Sequence, residues 1–189
     1  MDVKCIIFDC DGVLVDTEKI GNGILLAMAQ EHGFEMEIED AYRQFNGRNL
    51  KDCFRHIEEA IDQKLPENFE TEYREKIPYC VASSGPVEKI RLNLEVAGLL
   101  DKFENKIFSS YQINSWKPEP GIFLHAAKEM GFEVQDCIVL EDSKAGVKSG
   151  VSGGFKVYGF ANGFNNEDLE EEGAILFNSF EELSRLLKI

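Results

Sequence analysis

The chain has 189 residues, enough for one full domain or one domain carrying a small insertion. Hydrophobic residues make up 43% and charged residues 29%, the balance of an ordinary soluble globular protein. A formal net charge of −15 argues against nucleic acid or an anionic membrane as a partner, and requires that any anionic substrate meet a locally positive site.

The opening run, Val3 to Phe8, is apolar too briefly to be a signal-peptide core, and no stretch approaches the length of a membrane span. Cys5, Cys10, Cys53, Cys80 and Cys137 are scattered without a CxxC pair. They read as buried, reduced thiols of a cytoplasmic protein, with Cys10 a spacer between two aspartates.

Val3 to Phe8 is the first predicted strand. Residues 17–77 then break into helical patterns at Glu18 to Glu31, Asp40 to Phe45, Leu50 to Ile61 and Glu67 to Glu75, punctuated by Gly33, Gly47 and Pro66. They read as a helical insertion. After it, strand-like runs at 79–82, 106–109, 137–140, 155–158 and 174–177 are apolar without strict alternation, as in strands covered on both faces. Helix signals fill 86–97, 119–130, 143–149 and 179–188. Pro86 suits a first turn, Gly98 and Gly131 act as stops, and Asn165 to Glu172 reads as a solvated loop and helix start. The expected fold is α/β, a Rossmann-like doubly wound parallel sheet built from residues 1–16 and 78–189, with residues 17–77 as a helical cap.

Ligands of such a sheet bind at the carboxyl ends of its strands. Asp9 and Asp11 stand there, just past the first strand and before Gly12. A lone Asp-x-Asp usually caps a turn. Two carboxylates this close in a pocket call for a proton or a cation, and Mg²⁺ suits carboxylates and phosphate oxygens. Glu141 and Asp142 form a second acidic pair at another strand end. Ser83 and Ser84 offer hydroxyls beside a helix start that would cradle phosphate, though taken alone they are better explained as simple capping. Lys117 opposes the dipole of the helix that follows it, which points to an anion nearby.

In this order, the segments Asp9-Cys10-Asp11-Gly12-Val13-Leu14-Val15-Asp16-Thr17, Ala82-Ser83-Ser84, Lys117-Pro118-Glu119-Pro120 and Leu140-Glu141-Asp142-Ser143 resemble the four motifs of the haloacid dehalogenase superfamily. The resemblance covers nearly the whole chain and is closest to the β-phosphoglucomutase-like branch, with its small helical cap. It implies a phosphatase acting on a small phosphorylated metabolite, a sugar phosphate or a sugar-acid phosphate such as 6-phosphogluconate. It further implies Asp9 as nucleophile, Asp11 as acid and base, and Ser83, Ser84 and Lys117 on the phosphoryl oxygens. Mg²⁺ would be held by the Asp9 carboxylate, the main-chain carbonyl of Asp11 and Asp142, with Glu141 as a further candidate ligand. Such a site also answers the charge problem, since a metal, Lys117 and a helix start make a positive pocket in an acidic protein. Arg48, with Asn46 beside it, is the cap residue expected to reach substrate; a solvated surface arginine is an equal reading. A monomer or weak dimer is expected.

Two other readings compete. A phosphosugar mutase of the same branch has a cap-hinge histidine where this chain has Gly21. A phosphoacceptor signalling domain shares the acids, hydroxyl and lysine, but its acceptor follows a middle strand and it has no place for the helical insertion. His32, His56 and His125 fall within helical patterns and read as structural.

One departure from the family is large. Relatives pass through a further core helix before the strand that ends at Ser83, whereas here Glu72 to Pro78 runs almost directly into Tyr79. A helix-length segment is absent, although a parallel crossover normally needs a dozen residues or more. An uncovered apolar face is costly, which favours a segment missing from these residues over a true deletion. A measured intact mass matching 21.4 kDa would decide for the deletion.

Overall fold

A computed structural model describes residues 3–14, 18–45, 48, 50–75, 78–161 and 166–187. The chain divides into two compact units, Met1–Val15 with Ile77–Ser179, and Asp16–Lys76 with Phe180–Ile189.

The first unit is built on six parallel strands: β1 (Cys5–Phe8), β2 (Tyr79–Ser83), β3 (Ile107–Ser109), β4 (Cys137–Glu141), β5 (Lys156–Phe160) and β6 (Ile175–Phe177). Their order is β3-β2-β1-β4-β5-β6. Each of the six falls within or next to an apolar run of the sequence. β1 and β4 are buried at every position, as strands covered on both faces must be. Cys5, Ile7, Cys80, Ala82, Cys137, Val139 and Val157 line one face. They pack against Ile122, Phe123, Ala126 and Ala127 of α7 (Gly121–Glu129) and Val147 of α8 (Lys144–Ser152). The alternate residues Ile6, Phe8, Val81, Ile138 and Leu140 are also buried, and the rings of Phe8, Tyr79 and Phe103 meet edge to face.

The remaining helices of this unit are α5 (Val87–Val96), the single turn α6 (Ser110–Ile113) and α9 (Asn166–Glu171). Gly98 and Gly131 follow α5 and α7 with φ of +71° and +80°, the left-handed helix ends their positions predict. The sequence does not announce α6. Its four residues carry no periodicity, and it forms because Ser109 and Gln112 cap it reciprocally.

The second unit contains α1 (Glu18–Glu31), α2 (Ile38–Phe45), α3 (Leu50–Ile61), α4 (Phe69–Glu75) and α10 (Phe180–Leu187). Leu25 and Ala29, Ala41 and Phe45, and Cys53 and Ile57 repeat one spacing of four residues. These pairs build a shared core with Phe34 and Phe69. The closing helix differs from the sequence boundaries, which place it with the sheet; it groups instead with the helical unit, where it meets α1. Its buried stripe of Phe180, Leu183, Ser184 and Leu187 requires an apolar partner, but periodicity does not specify which one. The junction residues Lys76 and Ile77 lie outside the described residues.

All five cysteines are free and buried. The thiols of Cys5, Cys80 and Cys137, on three adjacent strands, exchange hydrogen bonds. Among the described residues no helix is long and apolar enough to cross a membrane.

Gly150 of α8 faces the sheet, where an added Cβ would stand 2.6 Å from Cγ2 of Val157. Gly150→Ala is therefore expected to lower the unfolding free energy by about 1–3 kcal/mol in a urea titration.

Candidate active site

β1 ends at Phe8, and Asp9 follows with its N–H donating to the carbonyl of Leu140 at 2.9 Å. Phe8 pairs with Leu140 in the β1–β4 register, so the next residue of each strand, Asp9 and Glu141, comes out side by side. The chain winds to β2 and β3 on one side of β1 and to β4, β5 and β6 on the other. The carboxyl end of β1 is therefore the switch point, where a crevice opens.

Lys117 fills that point. Its Nζ donates to Oδ1 of Asp9 and, at 2.6 Å, to Oε1 of Glu141. The ammonium also sits 4.8 Å from the centroid of the Phe123 ring. The three side chains are 7%, 10% and 0% exposed respectively. The second oxygen of Glu141 accepts from the N–H of Asp142 at 2.9 Å, the N–H of Ser143 at 2.8 Å and the Ser143 hydroxyl at 2.9 Å. Glu141 is thus a fully engaged buried carboxylate, as its burial demands. α8 packs against it only because residue 146 is glycine; a Cβ there would overlap the carboxylate.

Burial raises the pKa of Asp9 to about 7, against the pull of Lys117, and the neighbouring Glu141 adds to the rise. Asp142 is raised to about 6, again by burial first and then by Glu141. Burial works to lower the pKa of Lys117, but Glu141 and Asp9 together outweigh it and hold the amine above its ordinary value. Carboxylate oxygens of Asp9, Glu141 and Asp142 lie within 4.8 Å of one another. Carboxylate donors such as Asp9 and Asp142, without a histidine or thiol, suit Mg²⁺, while Glu141 has both oxygens engaged; two carboxyls that resist ionisation mark a pocket short of positive charge.

Gly12 brings the Asp9–Leu14 loop against Asp142. Its φ is +95°, and a Cβ there would overlap the Asp142 carboxylate. Asp11 is more open, its side chain 53% exposed. Its two oxygens accept from Nζ of Lys89 at 2.8 Å and Nδ2 of Asn93 at 2.7 Å. Ser83 is buried at the end of β2, with its Oγ accepting from the N–H of Gly85 at 3.1 Å. Ser84 is half-buried beside it. The carbonyl of Gly85 in turn accepts from the Ser109 hydroxyl at 2.6 Å. These bonds hold the turn that enters α5, whose N-cap Pro86 supplies no side-chain cap.

Asp9, Lys117, Glu141 and Asp142 therefore converge, with Ser83 at the neighbouring strand end and Asp11 on the shared loop. Arg48 is an exposed residue just beyond α2, its N–H donating to the Phe45 carbonyl at 3.1 Å, while Asn46 lies outside the described residues. Cys10 is buried, and burial first, then Asp11 and Asp9, raises its thiol to about 11, which leaves it inert. The histidine rings meet aromatic neighbours: His32 lies on Phe69, His56 on Phe34 and Phe45, and His125 on Phe108. Sequence reasoning missed Lys89 and Asn93. Their signal was a spacing of four, which puts both on one side of α5, but nothing in the sequence aims that side at Asp11.

Two family profiles, each described as haloacid dehalogenase-like hydrolase, match residues 6–78 and 71–154. The 6-phosphogluconate phosphatase of Escherichia coli is 29% identical, covering 98% of this chain and 95% of its own. A phosphorylated carbohydrates phosphatase of Thermotoga maritima is 25% identical over 98% and 99% of the two chains. A crystal structure described as a putative β-phosphoglucomutase from Thermotoga maritima superposes with a TM-score of 0.61 at 26% identity, over 98% of each chain. The Escherichia coli alignment spans 210 positions, whereas 98% of this chain is about 185 residues. About 25 of its positions thus have no counterpart here, a helix-length deficit. The ordered motifs, the parallel sheet with its switch point at Asp9 and the two profile matches agree, and the chain belongs to the haloacid dehalogenase-like hydrolases.

Proposed function

We propose that this hydrolase is a phosphatase of small phosphorylated carbohydrates, working through a phosphorylated Asp9. The observation that supports this most is the buried Asp9 carboxylate at the switch point, held by Lys117 and within 4.8 Å of the Asp142 and Glu141 oxygens. The names of the relatives, phosphatases of 6-phosphogluconate and of phosphorylated carbohydrates, point to the substrate class.

In the first step an Asp9 oxygen attacks phosphorus as the bond from phosphorus to the substrate oxygen breaks, and Asp11 gives its proton to that departing oxygen. In the second, Asp11 takes a proton from water, the water oxygen bonds to phosphorus, and the Asp9–phosphorus bond breaks to release phosphate. Lys117 and the N–H groups around Ser83 and Ser84 offset charge on the phosphoryl oxygens. Asp9, Asp142 and the main-chain carbonyl of Asp11 would hold Mg²⁺. Glu141, with both oxygens already engaged, serves to hold Lys117. When bound, the ion supplies positive charge against which Asp9 ionises and phosphoryl charge is neutralised. Arg48 is the cap side chain assigned to the rest of the substrate.

A mutase of the same branch is the second reading, favoured by the description of one structural neighbour. Gly21 in place of a hinge histidine weighs against it. Release of inorganic phosphate, rather than isomerisation, separates the two.

A panel of sugar phosphates and sugar-acid phosphates, assayed with and without Mg²⁺, should show Mg²⁺-dependent phosphate release. Asp9→Asn should lower kcat by about a thousandfold or more, as loss of a nucleophile does. Full turnover in that variant would refute the mechanism.

The raised pKa values also carry a stability signature. An ordinary aspartate gives up its proton near 3.8, while Asp9 keeps it to about 7 and Asp142 to about 6. Between those limits the folded chain binds more protons than the unfolded one. Their contribution is therefore present at low pH and falls as pH rises from about 4 to about 7. A bound cation reverses the loss. Mg²⁺ should raise the melting temperature more at about pH 7.5 than at about pH 5, and Asp9→Asn should flatten the metal-free pH dependence. Equal Mg²⁺ shifts at both pH values would contradict this.

A further inference from the structure

α5 buries Ile90 and Leu94 on one face. The opposite face of such a surface helix is ordinarily polar. Here it carries Leu92, 56% exposed, and Val96, 82% exposed. Four residues apart, they stand one above the other as a ridge one turn long. A cavity of about 460 Å³ opens beside this ridge, bounded by Leu14, Leu92, Asn93, Val96 and Ala97. A single exposed apolar side chain needs no explanation, but a ridge continuous with a largely apolar cavity marks a contact surface.

The charges beside the ridge identify what covers it. Arg91 and Glu95 are both exposed. At about 100° per residue they fall on the same flank of the ridge, the side away from Asn93. A two-fold axis that packs two copies of α5 antiparallel sets each flank against itself. With that axis level with Asn93, Arg91 of each copy stands at the height of Glu95 of the other. The same register interleaves the apolar side chains along one seam, Leu92 beside Leu92 at the centre and Val96 at each end, in steps of about 3 Å. The remaining charges of the helix meet no like charge, since Glu88 comes level with Gly98 and Lys89 with Ala97. One placement therefore satisfies both the apolar residues and the charges.

We propose that the outer face of α5 is a self-association surface, on which a second copy of this chain docks antiparallel about a two-fold axis near Asn93. One turn of apolar ridge is a small contact, and a net charge of −15 on each copy opposes approach. The dimer is therefore weak and depends on protein concentration.

Sedimentation velocity on the full chain, from micromolar to near-millimolar concentration, should show a mass rising from 21.4 kDa toward twice that value. Val96→Asp, at a position too exposed to disturb the fold, should weaken association at least about tenfold. Arg91→Glu and Glu95→Arg should each weaken it about three- to tenfold, although one adds two negative charges to the −15 of each copy and the other removes two. The double variant carrying both changes should associate as the parent chain does. Far-UV circular dichroism checks that each variant is folded. A mass of 21.4 kDa at every concentration would overturn the proposal. So would a parent dimer that Val96→Asp leaves intact, which would place the contact on another surface. If Arg91→Glu loosens the dimer while Glu95→Arg tightens it, only the overall charge matters and the antiparallel register is wrong. A strictly monomeric chain that binds the apolar dye anilinonaphthalene sulfonate, and loses it on Val96→Asp, assigns the face to a different partner and equally ends the self-association reading.

Discussion

One buried cation organises the sheet-based unit. Lys117 brings a single positive charge between Asp9 at the end of β1 and Glu141 at the end of β4. Without it, two carboxylates on adjacent strands would share a pocket with almost no water. Removing one member of such a buried set costs about 3–5 kcal/mol, because the remaining charge is left uncompensated. The consequences spread outward through close packing. Glu141 must be saturated by Asp142 and Ser143, residue 146 must be glycine so that α8 can approach, and Phe123 lies under the ammonium.

The arrangement is polarised rather than balanced. Three carboxylates converge on one amine, and burial keeps two of them from ionising at ordinary values. Such a pocket is short of the positive charge that an anion would need. The acidic surface reinforces this, since a chain of net charge −15 offers an arriving anion little long-range attraction. Discrimination for phosphoryl groups therefore has to come from the few ångströms around β1.

Most of the sheet was legible in the sequence because strands buried on both faces leave short, continuous apolar runs bounded by turn residues. All six runs became strands. The acids and Ser83 were legible for a different reason: each stands at or just past a strand end, where a polar residue after an apolar run is conspicuous. Lys117, in the turn before α7, was legible from its place ahead of two prolines and a helix start. What periodicity could not supply was pairing between distant elements. The Lys89 and Asn93 contacts with Asp11 span about eighty residues of sequence. The placement of α10 with the helical unit depends on which apolar face accepts its stripe, and a stripe has no address. Ser110 to Ile113 was missed because a single capped turn has no period to detect.

The buried thiols mark both units at no structural cost. Cys5, Cys80 and Cys137 lie in the core beneath α7, and Cys53 lies in the core of the helical unit. An alkylating reagent reaches a buried thiol only when its surroundings open, and opening free energies differ between cooperative parts of a fold. Labelling at Cys53 against labelling at the three strand cysteines thus times the breathing of each unit separately, within one molecule and under native conditions.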